Sequence, residues 1–240
     1  MITTQTWKIG DCVELMEAGE IKSDSIDLII LDPPFGSNMN SGDGIAAFAA
    51  KTNWGRWIRV VLELLYPTLK DTGSIYACSN FQTYHFLAVE LERVGFKYQC
   101  DYSVIYKGSR KRPMFNRFHT VNETWFYGVK SNKAIWNQSE RPLTGNKTHL
   151  SYWLDGDGVV RHLEKSVKLI SYFIRMSTHE GMTVLDPFLG SGSTLEACNH
   201  TNRNGVGFEI DPSSKRDIEN RIMTYTPPLT TYFADGELGG

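Results

Sequence analysis

Several classes of protein are excluded by what this 240-residue chain lacks. Its four cysteines, Cys12, Cys78, Cys100 and Cys198, are never closer than 22 residues, so no CxxC pair exists to hold a metal or form a redox couple. Buried free thiols in a reducing compartment are expected instead. The six histidines (85, 119, 149, 162, 179 and 200) show no HExxH or HxxxH spacing, and no metal site is expected. There is no run of about 18 apolar residues to span a bilayer. The segment Met1 to Lys8 has neither a basic n-region nor an apolar h-region, which predicts a cytoplasmic protein without membrane contact. Charge of one sign is also scarce. With 25 Lys+Arg against 27 Asp+Glu the net charge is −2. That argues against a nucleic-acid partner unless positive charge is gathered locally.

What remains is an ordinary globular composition, 41% hydrophobic and 22% charged, long enough for one large domain or one domain with an insertion. Short apolar runs alternate with helical periods. Asp27 to Leu31 is a continuous apolar run of the kind found in a central parallel strand. Trp57, Ile58, Val61, Leu62 and Leu65 recur at helical spacing up to Pro67. Gly73–Cys78 predicts a strand, Tyr84–Leu91 a helix, Tyr98–Tyr106 and Thr124–Val129 two more strands. After about thirty polar residues, Leu163, Val167, Ile170 and Ile174 mark a helix, and Thr183–Leu185 a strand. A helix after Gly192, a strand at Gly205–Phe208 and a polar helix near 213–223 close the series, ahead of a loose tail over 224–240. Alternating strand and helix predicts an α/β fold, a mostly parallel sheet with helices on both faces.

Ligands of such sheets bind at the carboxyl ends of strands, and two segments there look chemical. The first is Asp32-Pro33-Pro34-Phe35, directly after the apolar strand. Two prolines fix φ and remove two N–H donors, leaving a stiff turn that only accepts hydrogen bonds. Asp32 and the Pro33 carbonyl could each accept one N–H of a planar amine while Phe35 stacks on its ring. A nucleobase amine is a poor nucleophile because its lone pair is delocalised; two acceptors gripping both hydrogens favour a pyramidal nitrogen. The bland alternative is a strand terminator with an N-capping aspartate. The second segment is Val184-Leu185-Asp186-Pro187-Phe188-Leu189-Gly190-Ser191-Gly192-Ser193-Thr194, a strand, a glycine turn and a helix start. It is no Walker loop, and Leu195 stands where GxGxxG has its third glycine. Glu209 follows Gly190 by 19 residues at the end of the next strand, the place for a carboxylate on ribose hydroxyls of an adenosine cofactor.

These two segments resemble the amino-methyltransferases that modify adenine or cytosine in DNA. Asp32–Phe35 fits the family's [DNS]PP[YFW] motif, and Asp186–Thr194 is similar to its DPFxGSGT-like cofactor motif. The catalytic motif precedes the cofactor motif and Gly10-Asp11-Cys12 stands near the start, which resembles the permuted β class. The resemblance implies a Rossmann-like methyltransferase fold and S-adenosylmethionine as cofactor. It implies cofactor contacts from Asp11, Cys12, Asp186, Phe188, Gly190, Gly192, Ser193, Thr194 and Glu209, and catalysis by Asp32, Pro33, Pro34 and Phe35. A departure lies at Arg161-His162-Leu163-Glu164-Lys165-Ser166, where the class commonly reads HPTxKP. Contacts from Lys165 or Ser166 to the cofactor's carboxylate stand there beside a plain solvated lysine as equal alternatives.

The resemblance covers 10–129 and 161–223. It divides the chain into a catalytic half (1–106), a small target-recognition insertion (107–160, with a core strand near 121–129), a cofactor half (161–223) and the tail. Lys107, Arg110, Lys111, Arg112 and Arg117 lie within twelve residues that hold no acid and are interleaved with Phe115 and Phe118. Such a segment suits phosphates beside an opened base, although a charge run is usually only a solvated surface. Trp136, His149, Tyr152 and Trp153 are further candidate contacts. The expected partner is double-stranded DNA with its target base flipped out, read over a short site. So small a recognition element leaves room for a second copy of the chain to supply contacts. Asp at the first motif position is commoner with adenine N6 within the family, and cytosine N4 and adenine in RNA are the alternatives. A nicotinamide oxidoreductase would use Gly190, Gly192 and Glu209 but leaves Asp32–Phe35 idle. A silent methyltransferase-like subunit would carry a damaged motif, and both motifs are intact.

Overall fold

The computed structural model describes residues 3–35, 51–80, 82–105, 122–140 and 164–223. The basic segment with Lys107, Arg110, Lys111, Arg112 and Arg117 lies outside them, as do His149, Tyr152, Trp153 and the tail.

Seven strands form one sheet: β1 (Gln5–Ile9), β2 (Ile26–Leu31), β3 (Leu69–Ser79), β4 (Lys97–Ile105), β5 (Asn122–Val129), β6 (Thr183–Asp186) and β7 (Asn204–Glu209). Their order across the sheet is β1-β7-β6-β2-β3-β5-β4. The first five in that order pair in parallel, whereas β5 runs antiparallel to both β3 and β4. The helices are α1 (Cys12–Glu17), α2 (Lys51–Leu65), α3 (Tyr84–Val94), α4 (Val167–Ser177), α5 (Ser193–His200) and α6 (Lys215–Met223).

The apolar run becomes β2, at the centre, with all six residues buried. Successive side chains of a strand point to opposite faces. Ile29 and Leu31 accordingly meet Cys12 and Met16 of α1, Trp54, Ile58, Val61 and Leu62 of α2, and Leu87 of α3. Leu28 and Ile30 meet Leu169, Ile170 and Phe173 of α4 and Ala197 of α5 on the other side. Full burial of each such aliphatic side chain contributes roughly 1.5–3 kcal/mol, which makes a strand apolar on both faces favourable only in this sandwiched position. The expected α/β sheet covered on both faces is the observed one.

Two elements carry no periodic signal in the sequence. β1 is an edge strand with alternating exposure, and α1 is six residues long, too short to show a helical period. The direction of β5 is the other difference. Thr124–Val129 reads as a strand, but its antiparallel insertion between β3 and β4 depends on partners far away in sequence.

Candidate active site

The parallel strands end at one edge of the sheet, and that edge gathers the acidic residues. Ile9 pairs with Glu209 and Asp186 with Gly207, so the residues following β1, β6 and β7 emerge side by side. Asp32 follows β2, the next strand over.

The glycine turn is held by its own carboxylates. Asp186 is buried; one oxygen accepts the Phe188 N–H at 2.9 Å and the other the Thr194 hydroxyl at 2.5 Å. Burial raises its pKa to about 7, against the opposing hydrogen bonds from Thr194 and Phe188, and Asp32 and Glu209 push it the same way. Glu209 accepts the Gly190 N–H at 2.6 Å and the Asp211 N–H at 2.8 Å, tying the end of β7 to the turn; burial raises its pKa too. Gly192 caps α5 with φ +92, and a Cβ there would lie 3.3 Å from Cα of Ile218 on α6. Only glycine satisfies both conditions. Ser193 is buried, and its hydroxyl has no hydrogen-bond partner among the described residues. Asp11 caps α1 by accepting the Val13 N–H at 2.7 Å. The buried Cys12 thiol is raised to about 12 by burial and by the charge of Asp11.

The proline turn is the second half of the site. Pro33 is buried, Pro34 exposed and Phe35 half-buried. Asp32 is 22% exposed along its side chain; Oδ2 lies 3.3 Å from the Lys165 ammonium, while Oδ1 is shielded from solvent and has no hydrogen-bond partner among the described residues. Burial raises the pKa of Asp32, Lys165 opposes this and Glu123 reinforces it. Lys165 also donates to Glu123 Oε1 at 2.9 Å and stands 5.8 Å from the centre of the Phe35 ring. Its place is thus between two carboxylates beside the proline turn. Ser166 is the N-cap of α4, its hydroxyl accepting the Leu169 N–H at 3.4 Å.

Three contributors escape a reading of the sequence. Trp54 of α2 donates its indole N–H to the Pro34 carbonyl at 2.7 Å. Trp57, one turn on, lies 6.3 Å from the Trp54 ring and 5.5 Å from that of Phe188, so two tryptophans link the proline turn to the glycine turn. Glu123 holds Lys165. Trp54 and Trp57 read as ordinary helix-face residues, and a single acid before the strand Thr124–Val129 carries no local signal. Trp136, named above as a DNA contact, packs against Tyr127 with ring centroids 5.2 Å apart. Among the described residues no group of three or more potential metal ligands occurs, and no helix is long and apolar enough to cross a membrane.

A carboxylate beside a stiff acceptor turn can grip an amine. Burial holds the pKa values of Asp186 and Glu209 above the ordinary carboxylate range, and a cationic ligand beside them would offset that cost. The chain is 29% identical to the type II methyltransferase M.BamHI of Bacillus amyloliquefaciens over 84% of its length, and spans about half (53%) of that protein. Its fold matches the crystal structure of the M1.HpyAVI–SAM complex, with TM-score 0.73 at 20% identity over 91% of this chain and 99% of that one. It also matches the PvuII DNA methyltransferase described as cytosine-N4-specific, with TM-score 0.76 at 19% identity over 95% of this chain and 90% of that one. Residues 26–220 match the model of the N6/N4 methyltransferases, described as DNA methylase. The chain belongs to this N6/N4 DNA methylase family.

Proposed function

We propose that the chain transfers a methyl group from S-adenosylmethionine to the exocyclic N6 amine of adenine within a short site in double-stranded DNA. The observation that carries this reading is Asp32 at the carboxyl end of the central strand, its Oδ1 without a hydrogen-bond partner among the described residues.

The target base leaves its stack, since a paired amine cannot reach a pocket at the sheet edge. Phe35 stacks on the base, and Asp32 Oδ1 and the Pro33 carbonyl accept the two amine hydrogens. That grip draws the nitrogen lone pair out of conjugation and aims it. Positioning and preorganised acceptors supply the rate enhancement, and no covalent intermediate on the protein is required.

The residues present fit the cofactor. Asp186, Glu209 and Asp11 stand at the turn, burial has already raised the pKa values of Asp186 and Glu209, and a sulfonium and an ammonium would offset that cost. The Ser193 hydroxyl, without a partner among the described residues, offers a further polar contact at the start of α5. When bound, S-adenosylmethionine supplies the electrophilic methyl group. Asp11, Cys12, Phe188, Gly190, Gly192 and Thr194 shape the pocket for it, directly or by holding the turn. Lys165 and Ser166 stand at the proline turn and the α4 cap and serve the cofactor less directly.

The segment 107–160 reads the DNA, with Lys107, Arg110, Lys111, Arg112 and Arg117 on phosphates. A second copy of the chain extends those contacts. The adenine assignment rests on Asp at the first motif position. The N4 amine of cytosine presents the same pair of hydrogens to the same acceptors, and the family contains both specificities by name. Incubation with labelled S-adenosylmethionine and double-stranded DNA, followed by nucleoside mass analysis, decides the matter. N6-methyladenine is expected; N4-methylcytosine reassigns the base, label in RNA alone reassigns the polymer, and no label in either rejects the reading.

A further inference from the structure

The two halves of the site stand on neighbouring strands, yet little of the backbone joins them. β2 and β6 pair at Leu28 with Val184 and at Ile29 with Leu185, and Asp32 lies three residues past that pairing. Among the described residues no backbone hydrogen bond runs from the proline turn (32–35) to the glycine turn (187–192). The carboxylates ahead of the two turns have like charge, and Asp32 helps to raise the pKa of Asp186. The separation of the turns therefore rests on side-chain packing, and α2 supplies it. Ile58, Val61, Leu62 and Leu65 fasten that helix to the sheet with no surface left exposed. Trp54 of the same helix donates to the Pro34 carbonyl, and the half-buried Trp57 meets Phe188 of the glycine turn. The two indoles are 6.3 Å apart and inclined at 59°, and Trp57 stands at 53° to the Phe188 ring, 5.5 Å away.

We propose that Trp57 is a positioning residue for methyl transfer: it sets the spacing of the proline turn and the glycine turn, and with it the approach of the target amine to the methyl group. This rests on the reading of the proline turn as the amine site and the glycine turn as the cofactor site. Reacting atoms must come within about 3–3.5 Å with their orbitals aligned, and a misplacement of about 1 Å can cost about 100-fold in rate. An indole on a helix fastened to the sheet is a stiff spacer. A small side chain in its place leaves a void that the surroundings fill only in part, so the two turns lose their fixed separation.

Each turn keeps its own supports when Trp57 is replaced. Asp186 holds the Phe188 N–H and the Thr194 hydroxyl, and Glu209 holds the Gly190 N–H, all within the cofactor half. Trp54 still holds the Pro34 carbonyl. The defect is therefore one of alignment, with DNA and cofactor each bound as before.

The test compares Trp57→Phe, Trp57→Leu and Trp57→Ala with the wild-type chain. Measured are kcat per S-adenosylhomocysteine-binding site, KM for DNA, and the thermal shift induced by S-adenosylhomocysteine. Counting per binding site removes any loss through unfolding, so a purely structural role would leave kcat unmoved. kcat should fall as the side chain shrinks, by up to about 100-fold in Trp57→Ala. Trp57→Phe, which keeps a ring against Phe188, should recover most of that loss. KM for DNA and the cofactor-induced thermal shift should stay as in wild type. Should Trp57→Ala not fold, Trp57→Phe and Trp57→Leu carry the same comparison. Wild-type kcat in Trp57→Leu, kcat equally low in every variant, or a loss of DNA or cofactor binding matching the loss of kcat would each overturn the proposal. If Asp32→Ala keeps wild-type transfer, or the wild-type chain methylates no nucleic acid, the reading of the site falls and the proposal with it. Wild-type transfer in the Trp57 variants beside an inactive Asp32→Ala overturns the proposal alone.

Discussion

The indole N–H of Trp54 donates to the carbonyl oxygen of Pro34 at 2.7 Å, so a helix following the proline turn by twenty residues holds that turn in place. A Pro-Pro turn cannot bind to its surroundings through its own N–H groups, which makes an external donor its natural anchor. Trp54→Phe keeps most of the buried ring and removes the donor. A net hydrogen bond is worth about 1 kcal/mol, so stability in urea should fall by about 1–2 kcal/mol. Turnover should fall more than that implies, with the S-adenosylhomocysteine thermal shift retained. Unchanged turnover would show that the turn needs no anchor.

Asp32→Ala removes the proposed carboxylate acceptor while leaving the glycine turn untouched. Loss of one preorganised hydrogen-bonding group at a developing charge typically costs about 100- to 1000-fold in rate. Methyl transfer should therefore fall below a few per cent of wild type, and stabilisation by S-adenosylhomocysteine should persist. Turnover above a few per cent would remove Asp32 from its role.

Asp186 titrates far from its ordinary range, and stability should register it. Its pKa rises from 3.8 to about 7 on folding, so the folded protein holds the proton over that interval. The stabilising effect is complete below about pH 4 and is lost as pH rises through about 7, at most about 1.4 kcal/mol per pH unit. The difference in unfolding free energy between wild type and Asp186→Asn, measured in urea at several pH values, should fall from pH 4 to 7 and then level. A constant difference would mean that Asp186 ionises normally in the fold.

DNA affinity should be governed by the basic segment. Each phosphate contact contributes a slope of about −0.9 to log K against log salt, so five give about −4.5. Replacing Arg110, Lys111 and Arg112 together by alanine should flatten the slope by up to about 2.7 without changing the methylated base. A slope unaltered in that variant would place the phosphate contacts elsewhere.

Much of the site is legible along the chain because its parts are local. Asp32–Phe35 and Asp186–Thr194 are each a strand end followed by a turn, and the residues that shape each turn adjoin it: Phe188 N–H and the Thr194 hydroxyl on Asp186, prolines after Asp32. Glu209 is legible by its distance from Gly190 alone, and its carboxylate does accept that residue's N–H. Trp54 and Glu123 are not legible, since one looks like any buried helix residue and the other like any acid near a strand.

The sequence by itself determined the α/β alternation, the doubly buried β2 and the two turns, because apolar periodicity, proline and glycine act within a few residues. Net charge of −2 by itself said little, since five of the bases are gathered in residues 107–118, which hold no acid. The direction of β5 was decided only in three dimensions. A strand's pattern of apolar residues is the same read along either direction, and only pairing with β3 and β4 chooses between them. Had β5 run parallel to β3, Glu123 would lie about six residues, roughly 20 Å, from the edge that carries Asp32. The antiparallel choice is what places Glu123, Lys165 and Asp32 together.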